Sequence, residues 1–321
     1  MSFKASSSSP FYKKLGVFLL KNDTLFGLFL LCLILSLSSD YFLTLSNFMN
    51  ILQQVSVIGI IAIGMTFVIT SAEIDLSVGS VVAISGSIMG VLFTVFDLPI
   101  GIAICGALLV SLALGFLMGT ISVKFVIPSF IVTLASMMTV RGLAFIITGG
   151  YPSPIDSVFA KWIGQKSSFG IPHSVIIFLI IVLIGYYLLE KSRFGRYVLA
   201  VGGNKEAARI SGIHVTKIRL IVFSMSGLLA GLAGVVLASQ FGAGSPNAGN
   251  MYELDAIAAV VLGGTNLYGG RGRILGTVMG VLIIGVIDNG LNLLNVSPYY
   301  QMVTKGLVIL LALGLNRFKE S

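Results

Sequence analysis

Charged residues are scarce in this chain. Only 10% of its 321 residues are Asp, Glu, Lys or Arg, whereas 56% are hydrophobic, and the mean hydropathy is +1.02. So few charges could not cover the apolar surface of a soluble domain of this size, which excludes a soluble globular fold. The two cysteines lie in apolar runs without CxxC spacing and give no redox signal. The composition indicates a protein of the lipid bilayer.

Motifs for nucleotide, metal and hydrolytic chemistry are also missing. No GxxxxGK[ST] pattern occurs, and the nearest stretch, GGNK at 202–205, lacks both the spacing and the hydroxyl of a Walker A loop. The two histidines have no HExxH pattern or cysteine neighbours, and no Ser-His-Asp set is suggested. We therefore expect no catalytic residue, metal or cofactor. The net charge of +8 lies largely in loops, so it reports membrane orientation and not nucleic-acid binding.

Apolar segments long enough to cross a bilayer, about 20 residues each, make up most of the chain. They predict an all-α, polytopic transmembrane bundle of about ten segments, with a transmembrane domain over 22–315 between tails at 1–21 and 316–321. The eighth segment has about 14 residues and is short enough to be re-entrant. The segments are 22–38, 51–71, 78–95, 98–121, 128–148, 172–190, 218–240, 254–267, 272–294 and 299–315.

The distribution of basic residues tests this count, because loops rich in Lys and Arg stay in the cytoplasm. With a cytoplasmic N-terminus and ten crossings, 16 of the 20 Lys and Arg residues fall on the cytoplasmic side, seven of them in the loop 190–219. If the eighth segment turned back, Arg271, Arg273 and the basic C-terminus would lie outside. We therefore predict ten crossings and two cytoplasmic termini. The lysine-rich start leads into a long apolar run, which predicts a retained first helix and not a cleaved signal.

Two acidic triplets indicate an internal repeat. Glu73–Asp75 follows the second segment and Glu253–Asp255 follows the seventh, and each opens a glycine-punctuated apolar run. Five crossings separate them, an odd number, so they face opposite sides of the membrane. This is the arrangement of a 5+5 inverted repeat, in which short or broken helices meet around a pathway.

Charges at these helix entrances and inside segments are candidate functional groups. We interpret the triplet carboxylates first as capping and pairing groups, and second as contacts for a transported molecule or a proton relay. Arg141, Asp288 and Lys305 lie within segments, where a charge costs at least about 2.5 kcal/mol, so each must snorkel, pair or line a wet cavity. The pathway or gate candidates are Asp75, Ser77, Glu253, Asp255 and Asp288.

GxxxG spacings occur at 115/119, 227/231 and 276/280. Such pairs let helix backbones approach closely where no hydrophobic effect drives association. They predict a tightly packed bundle.

The loop 190–219 is the only long polar segment between apolar runs. Within it, GGN at 202–204 offers a turn and a helix start, 205–211 predicts a short exposed helix, and Gly212 lies at the position of a C-cap. Such a helix either docks a soluble partner or belongs to a loop that only fixes orientation. These features alone leave both interpretations open.

Three long stretches resemble the sugar-type ABC importer permeases, and most closely the ribose permeases. They are IGMTFVITSAEIDLSVGSVVAISG at 63–86, FGRYVLAVGGNKEAARISGI at 194–213 and YELDAIAAVVLGGTNLYGGRGRILGT at 252–277. The resemblance extends over nearly the whole chain. One departure is SAE at 71–73, where the family usually carries two glycines or Ser-Gly before Ile-Asp. Glu73 is therefore an added carboxylate, which weakens the comparison of the two triplets.

The resemblance implies partners for this chain, which would not itself be an enzyme. In that family the permease is a homodimer, two cytoplasmic ATPase subunits drive it, and a periplasmic binding protein delivers the sugar. The loop 202–212 is similar to the EAA loop of importers, whose short helix docks in a groove of the ATPase. The residues carried over by this similarity are Gly202, Gly203, Asn204, Glu206, Ala207, Ala208, Arg209 and Gly212.

The expected function is the translocation of a monosaccharide, ribose first, across the inner membrane into the cytoplasm. One alternative is an ion-coupled secondary sugar transporter that uses Asp75, Asp255 or Asp288. Another is a permease of the same family for allose, galactose, xylose or another small sugar, and a third is a channel or scaffold.

Overall fold

The computed structural model describes residues 23–307 and residue 310, and nearly all regular structure in this part of the chain is helical. The helices are α1 (Asp23–Ser38), α2 (Leu45–Thr70), α3 (Val78–Thr94), α4 (Ile100–Lys124), α5 (Ser129–Thr148), α6 (Val158–Gly164), α7 (His173–Tyr186), α8 (Arg193–Gly203), α9 (Lys205–Ile210), α10 (Val215–Phe241), α11 (Tyr252–Leu262), α12 (Ile274–Leu293) and α13 (298–307). A π-helical turn, Tyr187–Lys191, extends α7.

A helix lies in each of the ten predicted segments, which confirms the polytopic helical bundle. Among the described residues, six helices are long and apolar enough to cross a membrane, and shorter apolar helices accompany them. The chain is a multi-pass membrane protein. Part of the tenth segment, 299–315, and the predicted tails at 1–21 and 316–321 lie outside the described residues.

One helix start differs from the prediction. α2 begins at Leu45 and not near residue 51, because Thr44 caps it: the Thr44 Oγ1 accepts the Asn47 N–H at 3.3 Å. Amide side chains at 47, 50, 53 and 54 lower the hydropathy of the first turns. The cap therefore sets the start of the helix, and a criterion based on the length of apolar segments does not detect a cap.

Helices α2 and α10 form the centre of the bundle. Almost every residue of α2 between Val55 and Ile69 is buried, whereas α4 and α5 expose apolar side chains such as Phe116 and Leu143, as lipid-facing helices do. α10 packs against α3 and α4, and α2 packs against α11 and α12. The seventh segment thus contacts the third and fourth, as the second contacts the eighth and ninth. In a 5+5 repeat the second and seventh segments are equivalent, and each here packs against the two segments that follow its equivalent in the other half. This reciprocal contact pattern is expected of a 5+5 repeat.

The predicted glycine pairs lie at close helix crossings. A Cβ on Gly115 would lie 2.3 Å from the Phe223 carbonyl oxygen, and one on Gly227 would lie 2.4 Å from the Ser111 carbonyl oxygen. The backbones of α4 and α10 therefore touch. The structure confirms the close packing that the GxxxG spacing predicted.

The two ends of the bundle differ in structure. At the end that we name the α6 end, strand β1 (Ser153–Pro154) pairs antiparallel with β4 (Ala243–Gly244), and β2 (Ser167–Ser168) pairs with β3 (Ile171–Pro172). There Gln53 donates to the Gly164 carbonyl at 2.9 Å, which joins α2 to α6. The opposite end, the α9 end, carries α8 and α9. The sequence predicts the α9 end to be cytoplasmic.

Candidate functional site: two interrupted helices and a capped surface helix

The helical structure of the chain has two interruptions, one between the second and third segments and one between the seventh and eighth. α2 ends at the α9 end of the bundle, residues 71–77 are non-helical, and α3 begins at Val78. In the second half, α10 ends at the α6 end, residues 242–251 are non-helical, and α11 begins at Tyr252. The two irregular stretches therefore enter the bundle from opposite ends, and each is followed by a helix start.

The starts of α3 and α11 meet inside the bundle. A Cβ on Gly79 would lie 2.3 Å from a Glu253 carboxylate oxygen and 2.4 Å from the Gly249 carbonyl oxygen. From this meeting point, the 11 residues of α11 rise roughly 16 Å, about half the hydrocarbon core. The following Gly263 packs on Gly276 at the α9 end. The eighth segment therefore joins opposite ends of the bundle as an irregular stretch plus a half-length helix, and it does not turn back.

Asp75 is fully buried in the first interruption. Its Oδ1 accepts the Ser77 N–H at 3.0 Å and the Ser77 hydroxyl at 2.6 Å, while its Oδ2 accepts the Ser226 hydroxyl of α10 at 2.8 Å. In the described part of the chain, no Lys or Arg pairs with this carboxylate. Hydrogen bonds alone therefore compensate for its burial. Asp75 bonds Ser77, the residue before α3, and links it to the central helix α10, but it does not cap the first turn of α3.

Two further predicted carboxylates share one ammonium group. Lys305 Nζ lies 3.0 Å from Asp255 Oδ2 and 2.9 Å from Asp288 Oδ2, and the Asp255 side chain is 4% exposed. The three residues come from α11, α12 and α13, and the sequence alone does not show that these helices converge. The pairing meets the requirement that charges inside a membrane protein be compensated.

Arg141 of α5 supports the second interruption. Its Nη1 donates to the carbonyl oxygens of Pro246 at 2.9 Å and Ala248 at 2.5 Å. The sequence predicted that this cation must snorkel, pair or line a wet cavity. It instead donates hydrogen bonds to backbone carbonyls of the irregular stretch 242–251. In a helix, such carbonyls would accept hydrogen bonds from backbone N–H groups.

Glu73, the first carboxylate of the first triplet, joins three elements. Its side chain is 3% exposed, and its Oε1 lies 2.8 Å from Lys205 Nζ and 2.7 Å from Arg219 Nε. Lys205 is the first residue of α9, and Arg219 of α10 also donates to the Ser122 hydroxyl at 3.0 Å. Glu73 thus connects the first interruption to α9 and α10.

We expect Glu73→Gln to destabilise the protein more than Lys205→Met does. The Glu73 substitution leaves Arg219, 16% exposed, without its carboxylate, and removing one partner of a buried pair costs about 3–5 kcal/mol. The Lys205 side chain is 44% exposed, so losing that pair costs about 1 kcal/mol or less. Thermal unfolding of both purified variants in one detergent measures the difference. An equal loss of stability in the two variants would contradict this account.

The short helix α9 has the caps that the sequence predicted. The Asn204 side chain accepts the Ala207 N–H at 2.9 Å, which caps the first turn. At the other end, Gly212 adopts φ +82° and its N–H donates to the Arg209 carbonyl at 3.0 Å. A residue with a Cβ is strained in this conformation, which explains the glycine.

α9 projects from the bundle with most of its side chains exposed. Ala208 is its buried residue, whereas Ile210 is 78% exposed. The Arg209 guanidinium lies 2.6 Å from Glu206, and this hydrogen bond and charge hold the pKa of the Glu206 carboxyl below its usual range. An apolar side chain beside an exposed ion pair gives α9 a surface with both apolar and charged groups.

Gly202, near the end of α8 and just before α9, packs against the end of α2. A Cβ on Gly202 would lie only 1.8 Å from the Thr70 carbonyl oxygen, which also accepts the Gly270 N–H at 2.9 Å. Three backbone segments therefore meet without intervening side chains. The end of α8, directly before α9, therefore touches the end of α2, where the first interruption begins.

Sequence reasoning did not include Ser226, Lys205 and Arg219 among the candidate site residues. Ser226 is a single hydroxyl in an apolar helix, and the two cations are among many in a basic loop. For the two cations, the one signal in the sequence is the carboxylate Glu73, which requires a cation if it is buried.

Comparison with known proteins identifies the family. The family model described as "Branched-chain amino acid transport system / permease component" matches residues 47–313. The ribose import permease protein RbsC of Escherichia coli strain K12 is 43% identical over 100% of both chains, and that of Bacillus subtilis strain 168 is 45% identical over 96% of this chain and 94% of the relative. The xylose transport system permease protein XylH of Escherichia coli strain K12 is 35% identical over 86% of each chain. No solved structure matches the chain. The extent of these matches shows that the chain belongs to this family of transport-system permease components.

Proposed function

We propose that this chain is the membrane-spanning permease subunit of an ATP-driven importer that moves ribose across the inner membrane into the cytoplasm. One observation carries this proposal: relatives that match along nearly the whole chain at 43–45% identity are ribose import permeases. The xylose permease is less similar, at 35%. The chain is a transporter component and not an enzyme, so ATP hydrolysis belongs to a separate subunit.

A permease of this kind works with an ATPase subunit and a substrate-binding protein. We assign ATPase docking to α9 and its flanking residues, Gly202 to Gly212. Three features support this: α9 projects from the bundle, it is capped at both ends, and it exposes Ile210 beside the Glu206–Arg209 pair.

The contacts of α9 supply a route for coupling. Closure of the ATPase pair would displace α9, and two connections would carry this displacement into the bundle. One is the backbone contact of Gly202 with Thr70, and the other is the ion pair between Lys205 and Glu73. The first ends at Thr70, directly before the interruption 71–77, and the second ends at Glu73 within it; Asp75 of the same interruption is hydrogen-bonded to Ser226 of α10. ATP binding would thereby bias the bundle between inward-open and outward-open states.

The pathway would run where the two interruptions meet. Asp75 and Ser77 lie in the first interruption, and Glu253 at the start of α11 lies beside Gly79. Asp255 and Asp288 are held by Lys305, which would have to change partners if α11 moved. We propose these five acidic and hydroxyl residues as pathway or gate residues.

The orientation and the oligomeric state are further parts of the proposal. Both termini and the α9 end would lie in the cytoplasm, since this orientation puts 16 of the 20 basic residues there. The family resemblance also implies a second copy of this chain, because each ATPase of a pair needs one docking helix.

Reconstitution tests the proposed function. In proteoliposomes that contain this chain with its ATPase and binding proteins, we expect ribose uptake that requires ATP and the binding protein and that exceeds uptake of xylose, allose or galactose. Liposomes with this chain alone should show no uptake under an ion gradient. Gradient-driven counterflow by the chain alone would instead establish a secondary transporter, and preferred uptake of another sugar would overturn the assignment to ribose.

A further inference from the structure

A cavity of about 400 Å³ opens at the α6 end of the bundle, between α2, α10 and α12. Among the residues that line it, seven of nine carry a side-chain amide and none carries a charge. Four of the amides come from the first turns of α2 and two from the last turns of α12. These six are Asn47, Asn50, Gln53, Gln54, Asn289 and Asn292.

The cavity has a buried base and an exposed upper wall. Asn47 and Asn289 are buried and bond to each other in both directions, with Nδ2 to Oδ1 distances of 3.0 and 2.7 Å. Above them, Asn50, Gln54 and Asn292 are exposed. Within the described residues, no hydrogen bond holds the side chain of Asn50 or Gln54. The two amides of the base thus hydrogen-bond to each other, while the amides of the wall can bind a ligand.

The chemistry of the wall selects a class of ligand. An amide both donates and accepts hydrogen bonds, and a hydroxyl does the same, so several amides together match a ligand with several neighbouring hydroxyls. A phosphorylated or acidic ligand would require Arg or Lys, and neither residue type lines this cavity. Its volume falls in the range of small-molecule sites, about 300–1,000 Å³. Phe241 adds an apolar ring against which the C–H face of a sugar can lie.

The opposite end of the bundle has a cavity with a different lining. A cavity of about 580 Å³ at the α9 end is lined by the charged residues Glu73, Lys205 and Arg219. The amide cavity instead lies where the central helices α2 and α10 open at the α6 end, which faces the binding protein in the proposed orientation.

We infer that the amide cavity is the entry site at which the permease receives a neutral, polyhydroxylated ligand from the binding protein. The inference rests on the proposed function and deepens it. The exposed amides of Asn50, Gln54 and Asn292 bind ligand hydroxyls during transfer, before the ligand reaches the interruptions at 71–77 and 242–251.

The test replaces two exposed amides with apolar groups in the complete transporter. In proteoliposomes with the ATPase and binding proteins, we expect Asn50→Leu/Gln54→Leu to lower the maximum rate of ribose uptake about tenfold, because two hydrogen bonds to the ligand are lost. The concentration of loaded binding protein that gives half-maximal uptake should not change, and neither should the ATPase rate that it stimulates. The control is Gln165→Leu, which removes an exposed amide at the same end but outside the cavity and should transport normally.

Each other outcome has a distinct meaning. Unchanged uptake in the double variant would overturn the inference and leave the proposed function intact. A rise in the half-maximal concentration of binding protein would also overturn it, since the amides would then contact that protein and not the sugar. Failure of the wild-type transporter to take up any sugar would overturn the proposed function itself. If the double variant did not insert, Asn292→Leu, a single exposed change on α12, would give the same test with a smaller expected fall in the maximum rate, because one amide is removed and not two.

Discussion

Ribose uptake by the Ile210→Asp variant is expected to fall to background, while the variant accumulates in the membrane at the normal level. Ile210 is the last residue of α9 and is 78% exposed, so the isolated subunit gains little stability from it. Docked against an ATPase, the new carboxylate would be desolvated without a partner, which typically costs several kcal/mol and weakens binding by 30-fold or more. Uptake in proteoliposomes and co-purification of the ATPase subunit measure the two losses.

The matched control for this variant is Thr216→Asp. Thr216 is also exposed and lies six residues further on, in the first turn of α10, where an acidic residue is favoured by the helix dipole. The two variants add the same charge to the same end of the bundle, but only one adds it to α9. A second substitution on α9, Glu206→Lys, reverses one charge of the exposed ion pair and should also abolish uptake. Normal uptake in both α9 variants would rule out ATPase docking at this helix.

Local chemistry made α9 predictable from the sequence. Asn204 before the helix and Gly212 after it are the residue types that satisfy free backbone groups at helix ends, and the structure uses both in that way. The interruptions were also foreseeable, because an acidic triplet at the entrance of a glycine-rich apolar run is unusual for a continuous membrane helix.

The partners of the charged residues were not predictable in the same way. Glu73 pairs with a cation 132 residues away, and Asp255 pairs with one 50 residues away. Such pairs depend on how helices pack, and helix orientation is not encoded where a helix is apolar on all sides, as α4 is. The amide cavity was not predictable from the sequence for a related reason: its residues are spread over three helices, and each amide by itself resembles an ordinary polar group at a helix end.

Lys305→Met should have the largest effect on stability of the single substitutions considered. The change leaves Asp255 and Asp288, with side chains 4% and 15% exposed, facing each other without a cation. An uncompensated buried charge costs about 3–5 kcal/mol. We expect little protein in the membrane and a markedly lower unfolding temperature for what is recovered. Lys161→Met is the control, since Lys161 and Asp156 form an exposed pair and its loss should change stability little.

A compensated variant separates the structural role of this cluster from its proposed role in the pathway. In Lys305→Met/Asp255→Asn/Asp288→Asn all three charges are absent, and the two amides can hydrogen-bond to each other, so stability should return nearly to the wild-type level. If Asp255 and Asp288 exchange partners during gating, this variant will be folded and inactive, because the charge attraction that distinguishes the two states is gone. Full uptake by the compensated variant would instead limit the cluster to holding α11, α12 and α13 together. A variant that stays unstable would show that charge compensation is not what these residues provide.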